Sequence, residues 1–278
     1  MNIFKDTMSE MTYMQIEKLV EQEAVVLFPV GIIEAHGPHL PLGTDIYLSY
    51  QQAHDVWEEL NVMGIPCVIA PPFYLGGVQA LTRHFPGTFV FSKETIMACM
   101  EEYLENLDRF GFKRVVIFND HGDGLHISAI IETIKSANQK LELQAYWMEY
   151  EYELKEHGFS GAEDYILKLT TMPFEEMFQI SKMPEDEFDV HAGAFETATM
   201  REIYPEAIRE GELAKLQPTF LKGEQIGKWC DGEAADIMLI PNGYVGDPES
   251  SQYIKTNLKE ADRQIARDIA HMLGKAGE

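Results

Sequence analysis

Twelve consecutive residues, 34–45, contain four side chains that commonly bind metal ions: Glu34, His36, His39 and Asp45. In an extended segment, residues two apart point the same way, so Glu34 and His36 can reach one site. Glycines and prolines in this stretch let the loop turn back and bring Asp45 to the same point. A carboxylate that bridges two divalent ions suits this arrangement, and such ions activate water for hydrolysis.

Two further segments each offer a histidine and a carboxylate. The sequence NDHGDG at 119–124 adds His121 and Asp123, and HAGAFET at 191–197 adds His191 and Glu196. A single residue of these types is usually just a solvated surface group. Because three segments present such a pair independently, we expect them to form one metal site.

Other residues near these segments have a plainer interpretation. Asp120 either holds its loop through backbone hydrogen bonds or touches a metal. Several histidines lie outside any comparable setting, and we interpret them as structural or exposed: His39, His54, His126, His157 and His271.

The elements that must position these loops alternate between strands and helices. Short apolar runs predict buried strands, and apolar residues at helical spacing predict the helices between them. Ser92 is a predicted helix cap and Gly111 a predicted helix stop. This order predicts an α/β fold with a largely parallel sheet covered on both faces, whose loops at the carboxyl ends of the strands gather the ligands. The predicted strands are 24–30, 65–70, 114–118 and 141–147, and the predicted helices begin near Thr44, Ser92 and Ile127.

The rest of the chain is less regular. The stretch 149–187 is rich in charge and aromatic residues, and we expect it to supply helices and a lid or subunit contact. A late strand is predicted at 237–240, and an apolar stripe from Ile254 to Met272 predicts a closing helix. No repeat, low-complexity tract or linker divides the 278 residues, so a single domain spanning 1–278 is expected.

Composition excludes several classes of protein. With 22 Lys and Arg against 46 Asp and Glu, the chain has a formal net charge of −24, which repels nucleic acid and anionic membranes. No apolar run approaches the length of a membrane span, and no signal peptide is recognisable. Three cysteines without CxxC spacing predict neither disulfides nor a thiolate zinc site. A cytoplasmic enzyme with a small-molecule substrate, and without nucleic-acid or membrane partners, is expected.

At this point the sequence resembles the creatininase (creatinine amidohydrolase) family over most of its length. The signature runs from Pro29-Val30-Gly31 through Glu34-x-His36-Gly37-Pro38-His39-Leu40-Pro41 to Gly43-Thr44-Asp45. Supporting it are FPGT at 85–88, the His121 loop and HAG at 191–193, followed by Glu196-Thr197. The resemblance implies the family's three-layer α/β/α sandwich.

The resemblance also implies roles for individual residues. Glu34 and His36 bind different ions of a pair, Asp45 bridges the ions, and His121 completes one side. The ions are zinc or manganese, with iron as a further alternative, because selectivity depends on geometry and availability. His191 matches the histidine that transfers a proton in creatininase.

The resemblance leaves the last metal ligand open between two residues. Creatininase itself has a carboxylate two residues after the loop histidine, which here is Asp123. Many other members have glycine there and use the glutamate that matches Glu196. This chain has both carboxylates.

Departures from the family pattern bear on the substrate. The loop reads Asn119-Asp120-His121 where members usually have Asn-Gly-His, and Ala194 stands where glutamate is frequent. Creatininase places tryptophans over its substrate, whereas 149–187 contains none, which argues against creatinine. Our first hypothesis is a two-metal hydrolase of a small cyclic or amide-like substrate.

Two alternatives remain beside it. One is a hydrolase that opens the ring of a keto-inositol at a carbon–carbon bond, as a 3-dehydro-scyllo-inosose hydrolase does. The other is a metal-binding protein without catalytic activity.

The resemblance further implies a homo-oligomer, often a hexamer. The aromatic-rich stretch from Tyr146 to Phe178 is hard to bury within one subunit, and aromatic residues are enriched at interfaces. We therefore expect this stretch to contact a second subunit near the metal site.

Overall fold

The computed structural model describes residues 1–79, 82–230 and 239–275. Its strands are β1 (Val25–Val30), β2 (Cys67–Ile69), β3 (Arg114–Asn119), β4 (Gln144–Tyr150), β5 (Ile166–Leu169), β6 (Phe178–Ile180) and β7 (Ile254–Thr256). Its helices are α1 (Tyr13–Glu21), α2 (Thr44–Val62), α3 (Lys93–Phe110), α4 (Gly124–Lys140), α5 (Glu151–Glu156), α6 (Phe174–Met177), α7 (Ala194–Ile203), α8 (Glu210–Leu213), α9 (Gly223–Cys230) and α10 (Leu258–Met272).

The central sheet has five strands in the order β2-β1-β3-β4-β5, and every neighbouring pair is parallel. Strands β6 and β7 form a separate antiparallel pair. In β1 all six residues are buried, as expected of a strand covered on both faces. The predicted α/β architecture with a parallel sheet is confirmed.

Two apolar layers cover the sheet, one on each face. Residues of β1 alternate between them, so Val26 and Phe28 pack with α3 and α4, while Val25 and Leu27 pack with α2 and α10. The result is a three-layer α/β/α sandwich, in which the strands are held rigidly and their carboxyl ends open toward one edge.

The ends of α3 follow the sequence signals. The Ser92 hydroxyl accepts a hydrogen bond from the backbone N–H of Thr95 at 3.3 Å, which caps the helix. Gly111 ends it with φ of 107°, a conformation that a side chain would strain.

Some predicted elements differ in the structure. Ile254 belongs to strand β7, and the closing helix α10 begins only at Leu258. Of the strand predicted at 237–240, residues 237 and 238 lie outside the described residues, and residues 239 and 240 are not part of a strand. The stretch 149–187 contains two short helices, α5 and α6, and also the edge strand β5 and strand β6, neither of which the sequence pattern predicted. None of the described helices is long and apolar enough to cross a membrane.

Candidate metal centre and active site

The loop after β1 folds back on itself, as its glycines and prolines predict. The backbone N–H of Glu34 donates to the carbonyl of Leu42 at 2.8 Å, and this contact closes the loop. Asp45 then follows as the second residue of α2. The side chains of Glu34, His36 and Asp45 are all buried at this edge of the sheet.

One cluster of candidate ligands joins this loop to the loop after β3. The Nδ1 atom of His121 lies 3.0 Å from Glu34 Oε1 and 3.2 Å from Asp45 Oδ2. Its other ring nitrogen, Nε2, lies 3.1 Å from the carbonyl oxygen of Gly77. Because only an N–H can donate to that carbonyl, Nδ1 of the neutral ring presents a lone pair to the two carboxylates.

A second cluster shares Asp45 and adds the amino end of α7. The Nε2 atom of His36 lies 2.8 Å from Asp45 Oδ1 and 3.4 Å from Glu196 Oε1. His36 Nδ1 faces the carbonyl oxygen of Glu34 at 3.1 Å and donates to it. The lone pair of His36 is therefore also directed at carboxylate oxygens.

Several of these buried atoms lack a hydrogen-bond partner within the described part of the chain. They are Glu34 Oε1, His36 Nε2 and Asp45 Oδ2. Lone pairs that face one another at about 3 Å repel unless a proton or a cation lies between them. Zinc bonds of about 2.0–2.2 Å in a tetrahedral site place ligand atoms about 3.4 Å apart, close to the spacing in both clusters. The residues therefore fit two divalent cations that share Asp45.

The carboxylates of the two clusters raise the pKa values of both histidines in them. Burial lowers the pKa of His36, but the nearby carboxylates of Asp45 and Glu196 outweigh burial and raise it well above its usual range. Burial also lowers the pKa of His121, but the carboxylates of Glu34 and Asp45 outweigh burial and raise this pKa well above its usual range. The site therefore attracts positive charge.

His191 lies beside the first loop. Its Nε2 atom lies 2.8 Å from the carbonyl oxygen of Ala35, and its ring centroid is 4.5 Å from that of His36. A ring nitrogen of His191 also lies within 4.8 Å of a carboxylate oxygen of Glu34 and of a ring nitrogen of His36. With Nε2 donating to Ala35, Nδ1 of the neutral ring is the basic nitrogen.

The two carboxylates between which the sequence could not choose have different surroundings. Asp123 Oδ1 accepts the backbone N–H of Leu125, and Oδ2 accepts that of Gln79, both at 2.8 Å. Asp123 thus caps α4 and fixes the backbone of the loop that contains Gln79. Among the described residues it belongs to neither cluster. Glu196 does belong to a cluster, with His36 and Asp45.

Asp189 positions the amino end of α7 and was missed by the sequence analysis. Its carboxylate accepts the backbone N–H groups of Ala194 and Phe195. Burial raises the pKa of Asp189 to about 6, while these N–H groups oppose that rise. A side chain at Gly193 would place its Cβ 2.2 Å from Asp189 Oδ2, so only glycine fits there. An aspartate shortly before a Gly-Ala helix start is the signal that could have found it.

Backbone strain is located in the same segment. Ala192 has φ of 49°, which is unusual for a residue with a side chain. In this conformation its N–H donates to Glu196 Oε2 at 2.6 Å. The strain therefore helps to aim Glu196 at His36. On the other side of the site, the Thr82 hydroxyl donates to Glu34 Oε2 and fixes that carboxylate.

The other predicted residues lie around the clusters rather than in them. His39 is buried and its Nε2 pairs with the Thr197 hydroxyl at 2.9 Å, and burial lowers its pKa to about 4. His126 Nε2 lies 3.1 Å from Asn119 Oδ1 and supports the His121 loop from behind. Asp120 makes no hydrogen bond within the described ranges and lines the cavity above the clusters.

That cavity has a volume of about 410 Å³ and opens directly over the clustered ligands. Glu34, Asp45, His121 and Glu196 line it from below, and His191 lines its side. A small molecule fits there with a reacting atom against the clusters.

Comparison with known proteins identifies the family. The model of the family described as creatinine amidohydrolase matches residues 9–257. The chain belongs to the creatininase family. Creatinine amidohydrolase of Pseudomonas putida is 25% identical over 206 residues, which cover 72% of each chain. The 3-dehydro-scyllo-inosose hydrolase of Thermotoga maritima is 23% identical over 255 residues, covering 85% of this chain and 73% of the relative.

Solved structures agree with this assignment. A structure described as "Creatininase Mn" superimposes with a TM-score of 0.67 at 21% identity, covering 96% of this chain and 98% of the other. This likeness establishes the creatininase fold for the chain. Family membership also makes the chain a metal-dependent hydrolase.

Proposed function

We propose that this creatininase-family protein hydrolyses a small cyclic or amide-like substrate with two divalent ions, zinc or manganese. One observation carries the proposal: two clusters of buried ligands share Asp45, and their lone pairs face one another without hydrogen-bond partners among the described residues. Glu34 and His121 would hold one ion, His36 and Glu196 would hold the other, and Asp45 would contribute to both sites.

When bound, the two ions lower the pKa of a water molecule and polarise the substrate carbonyl. The residues of the chain do the remaining work. Backbone carbonyls fix the tautomers of His36 and His121, so that both rings keep a lone pair directed into the site. Asp189 and the strained Ala192 hold Glu196 in place.

His191 completes the reaction in this proposal. As water adds to the substrate carbonyl, Nδ1 of His191 takes the proton that the water releases and delivers it to the leaving nitrogen when the carbon–nitrogen bond breaks. The hydrogen bond from Nε2 to Ala35 holds the ring in the orientation that this transfer needs. Asp123 supports the site by capping α4 and does not bind metal.

The test combines metal analysis with a substrate panel. Protein purified from medium supplemented with zinc or manganese is expected to hold two ions per chain by elemental analysis. The loaded enzyme is then assayed with creatinine, formylated amines and oxidised inositols. Absence of bound divalent metal, together with absence of turnover after metal addition, would contradict the proposal and favour a binding protein without activity.

Ring opening of a keto-inositol is the second candidate. Carboxylates such as Asp120 and Glu153 line the cavity and can accept hydrogen bonds from hydroxyl groups, and no tryptophan is among the described residues that line it. Preferential turnover of an oxidised inositol in the same panel would select this candidate. Hydrolysis of creatinine at ordinary enzymatic rates would exclude it.

A further inference from the structure

A second and larger cavity adjoins the one above the metal clusters. It has a volume of about 830 Å³ and shares His121, Asp120, Glu153 and Asp189 with the first. A substrate that reaches the ligands therefore extends naturally into this space. The additional lining comes from the end of β4 and from α5.

The lining of the larger cavity is acidic and contains no lysine or arginine among its described residues. The only lysine of α5, Lys155, pairs instead with Glu151 at 2.7 Å, and neither of these two residues lines the cavity. The carboxylates that line it are Asp120, Glu149, Glu153, Glu156 and Asp189.

Glu149 is the one carboxylate that β4 contributes to this lining. Its side chain is buried, and Oε1 accepts the backbone N–H of Tyr150 at 2.8 Å. Burial and the neighbouring charge of Glu153 raise the pKa of Glu149 well above its usual range, and a hydrogen bond between the two side chains acts in the same direction. The two carboxyl groups therefore share a proton, and a cation between them can take its place.

Aromatic rings stand beside these carboxylates. Tyr150 and Tyr152 are stacked, with ring centroids 5.9 Å apart and planes inclined by 9°. Both rings line the cavity. An aromatic face next to carboxylates is an arrangement that attracts organic cations, because cation–π and ionic contacts act together.

The metal-ligand clusters below the smaller cavity, here called the floor, differ in charge from the acidic and aromatic lining of the larger cavity, here called the wall. In the proposed loaded enzyme, two divalent ions more than neutralise the carboxylates of Glu34, Asp45 and Glu196. The acidic wall has no such compensation from any described residue that lines it. A substrate with a carbonyl at one end and a positive charge at the other matches both regions.

We propose that the substrate carries an ammonium or guanidinium group, which Glu149, Glu153 and the stacked pair Tyr150 and Tyr152 bind in the larger cavity. This inference rests on the proposed hydrolase function and adds the charge of the substrate to it. The same wall rejects anionic substrates such as carboxylates and phosphates.

The experiment uses three acetamides of similar length and different charge. They are N-acetylputrescine, which is cationic, N-pentylacetamide, which is neutral, and 4-acetamidobutanoate, which is anionic; myo-inositol serves as a neutral polyol. Binding to the metal-loaded full chain is measured by calorimetry, and release of acetate is measured separately. N-acetylputrescine is expected to bind at least about tenfold more tightly than N-pentylacetamide, as a charged hydrogen bond implies.

Variants distinguish a local effect from the overall negative charge. Glu153→Gln is expected to reduce the preference for N-acetylputrescine over N-pentylacetamide by about tenfold or more. Glu151→Gln removes the same charge from the same helix, outside the cavity, and is expected to keep the preference. Elemental analysis of both variants checks that the metals are retained, and circular dichroism checks that both are folded.

The outcomes separate this inference from the function on which it rests. Equal affinity for the three acetamides, no binding of any of them, tighter binding of myo-inositol, or an equal effect of both variants would overturn the inference. Acetate release without charge preference overturns the inference and leaves the hydrolase proposal standing. Cation-selective binding without turnover of any amide supports the inference and contradicts the amide hydrolase.

Discussion

The floor and the wall of the substrate space are built in different ways. The floor consists of Glu34, His36, Asp45, His121 and Glu196, which loops at the ends of buried strands and the first turns of helices hold in place. The wall consists of Glu149, Tyr150, Tyr152, Glu153 and Glu156, and most of it belongs to the six-residue helix α5 at one side of the sheet. Groups that must hold metals within fractions of an ångström need the rigid location.

This contrast indicates which region determines which property. The floor has the residue types of the family signature, so we propose that it sets the type of reaction. The wall has aromatic and acidic residues on a short helix, so we propose that it sets which substrate is accepted. Substitutions in the floor should therefore abolish metal binding, whereas substitutions in the wall should change selectivity only.

The largest effect is expected at Asp45, the one residue common to both clusters. Asp45→Ala should lower metal affinity and turnover by more than about a hundredfold, the upper end of the loss seen when only an outer partner of a ligand is removed. Elemental analysis and the best substrate of the panel provide the measurements. Glu105→Ala, which removes an exposed carboxylate of α3 that belongs to no candidate metal cluster of the described residues, is the control and should leave both unchanged. Full activity in Asp45→Ala would refute the bridging role.

The next effect distinguishes Glu196 from Asp123. Glu196→Ala should release one of the two metals and reduce turnover at least about tenfold. Asp123→Ala should keep both metals but lower the free energy of unfolding by about 1 kcal/mol, because α4 loses its cap. Titration with zinc and chemical denaturation measure the two quantities. Metal loss in Asp123→Ala with retention in Glu196→Ala would reverse the assignment.

This pair also marks how far the sequence could predict the site. Residue types and spacing were enough to select every member of the two clusters and the strand, loop and helix that carry Asp45. The choice between Asp123 and Glu196 depends on where the backbone N–H of Gln79 lies, 44 residues before Asp123, which no local pattern specifies. Asp189 differs in this respect, because its partners in the first turn of α7 follow it by five and six residues and its place shortly before a Gly-Ala helix start is a local signal.

The fold was predictable to a similar depth. Strand β1 is a continuous apolar run and α3 has both a serine cap and a glycine stop, so local signals coincide with the structure. Strand β5 has only four residues, and one of them, Lys168, is exposed. Four residues are too few for the alternation of apolar and polar side chains in an edge strand to be recognised. Ile254 fits the stripe of α10, but its pairing with Ile180 places it in a strand.

An effect on stability rather than on metal binding is expected from His39, which lies beside the floor. Burial lowers its pKa from 6.5 to about 4. Between these values the unfolded chain binds a proton that the folded protein does not, so stability is retained above about pH 6.5 and falls as the pH decreases toward 4. The loss amounts to about 3 kcal/mol at 1.36 kcal/mol per pKa unit.

The measurement for His39 is the free energy of unfolding at several pH values. His39→Gln keeps a partner for the Thr197 hydroxyl and should show a weaker decline by about the same amount over this range. His271→Gln, at an exposed position of α10, should decline as the unmodified protein does. Parallel curves for all three proteins would show that His39 does not stay neutral in the fold.

The smallest effect is expected at Phe174 on α6, outside both the floor and the wall. Phe174 is 51% exposed, and its ring contacts Phe195, which lines the cavity above the metal clusters. We propose that this aromatic group packs against a second copy of the chain, because aromatic residues are enriched at subunit interfaces. Screening over about 8 Å at physiological salt limits the opposing repulsion between subunits of charge −24.

Phe174→Ser should weaken the assembly by about 1–2 kcal/mol, seen in light scattering as dissociation at a higher protein concentration. Tyr13→Ser, which alters another exposed aromatic residue on α1, should leave the mass unchanged. A monomer of 31.6 kDa at micromolar concentration and moderate salt would refute the assembly. If that monomer still discriminates between the charged amides, the wall needs no neighbouring subunit to complete it.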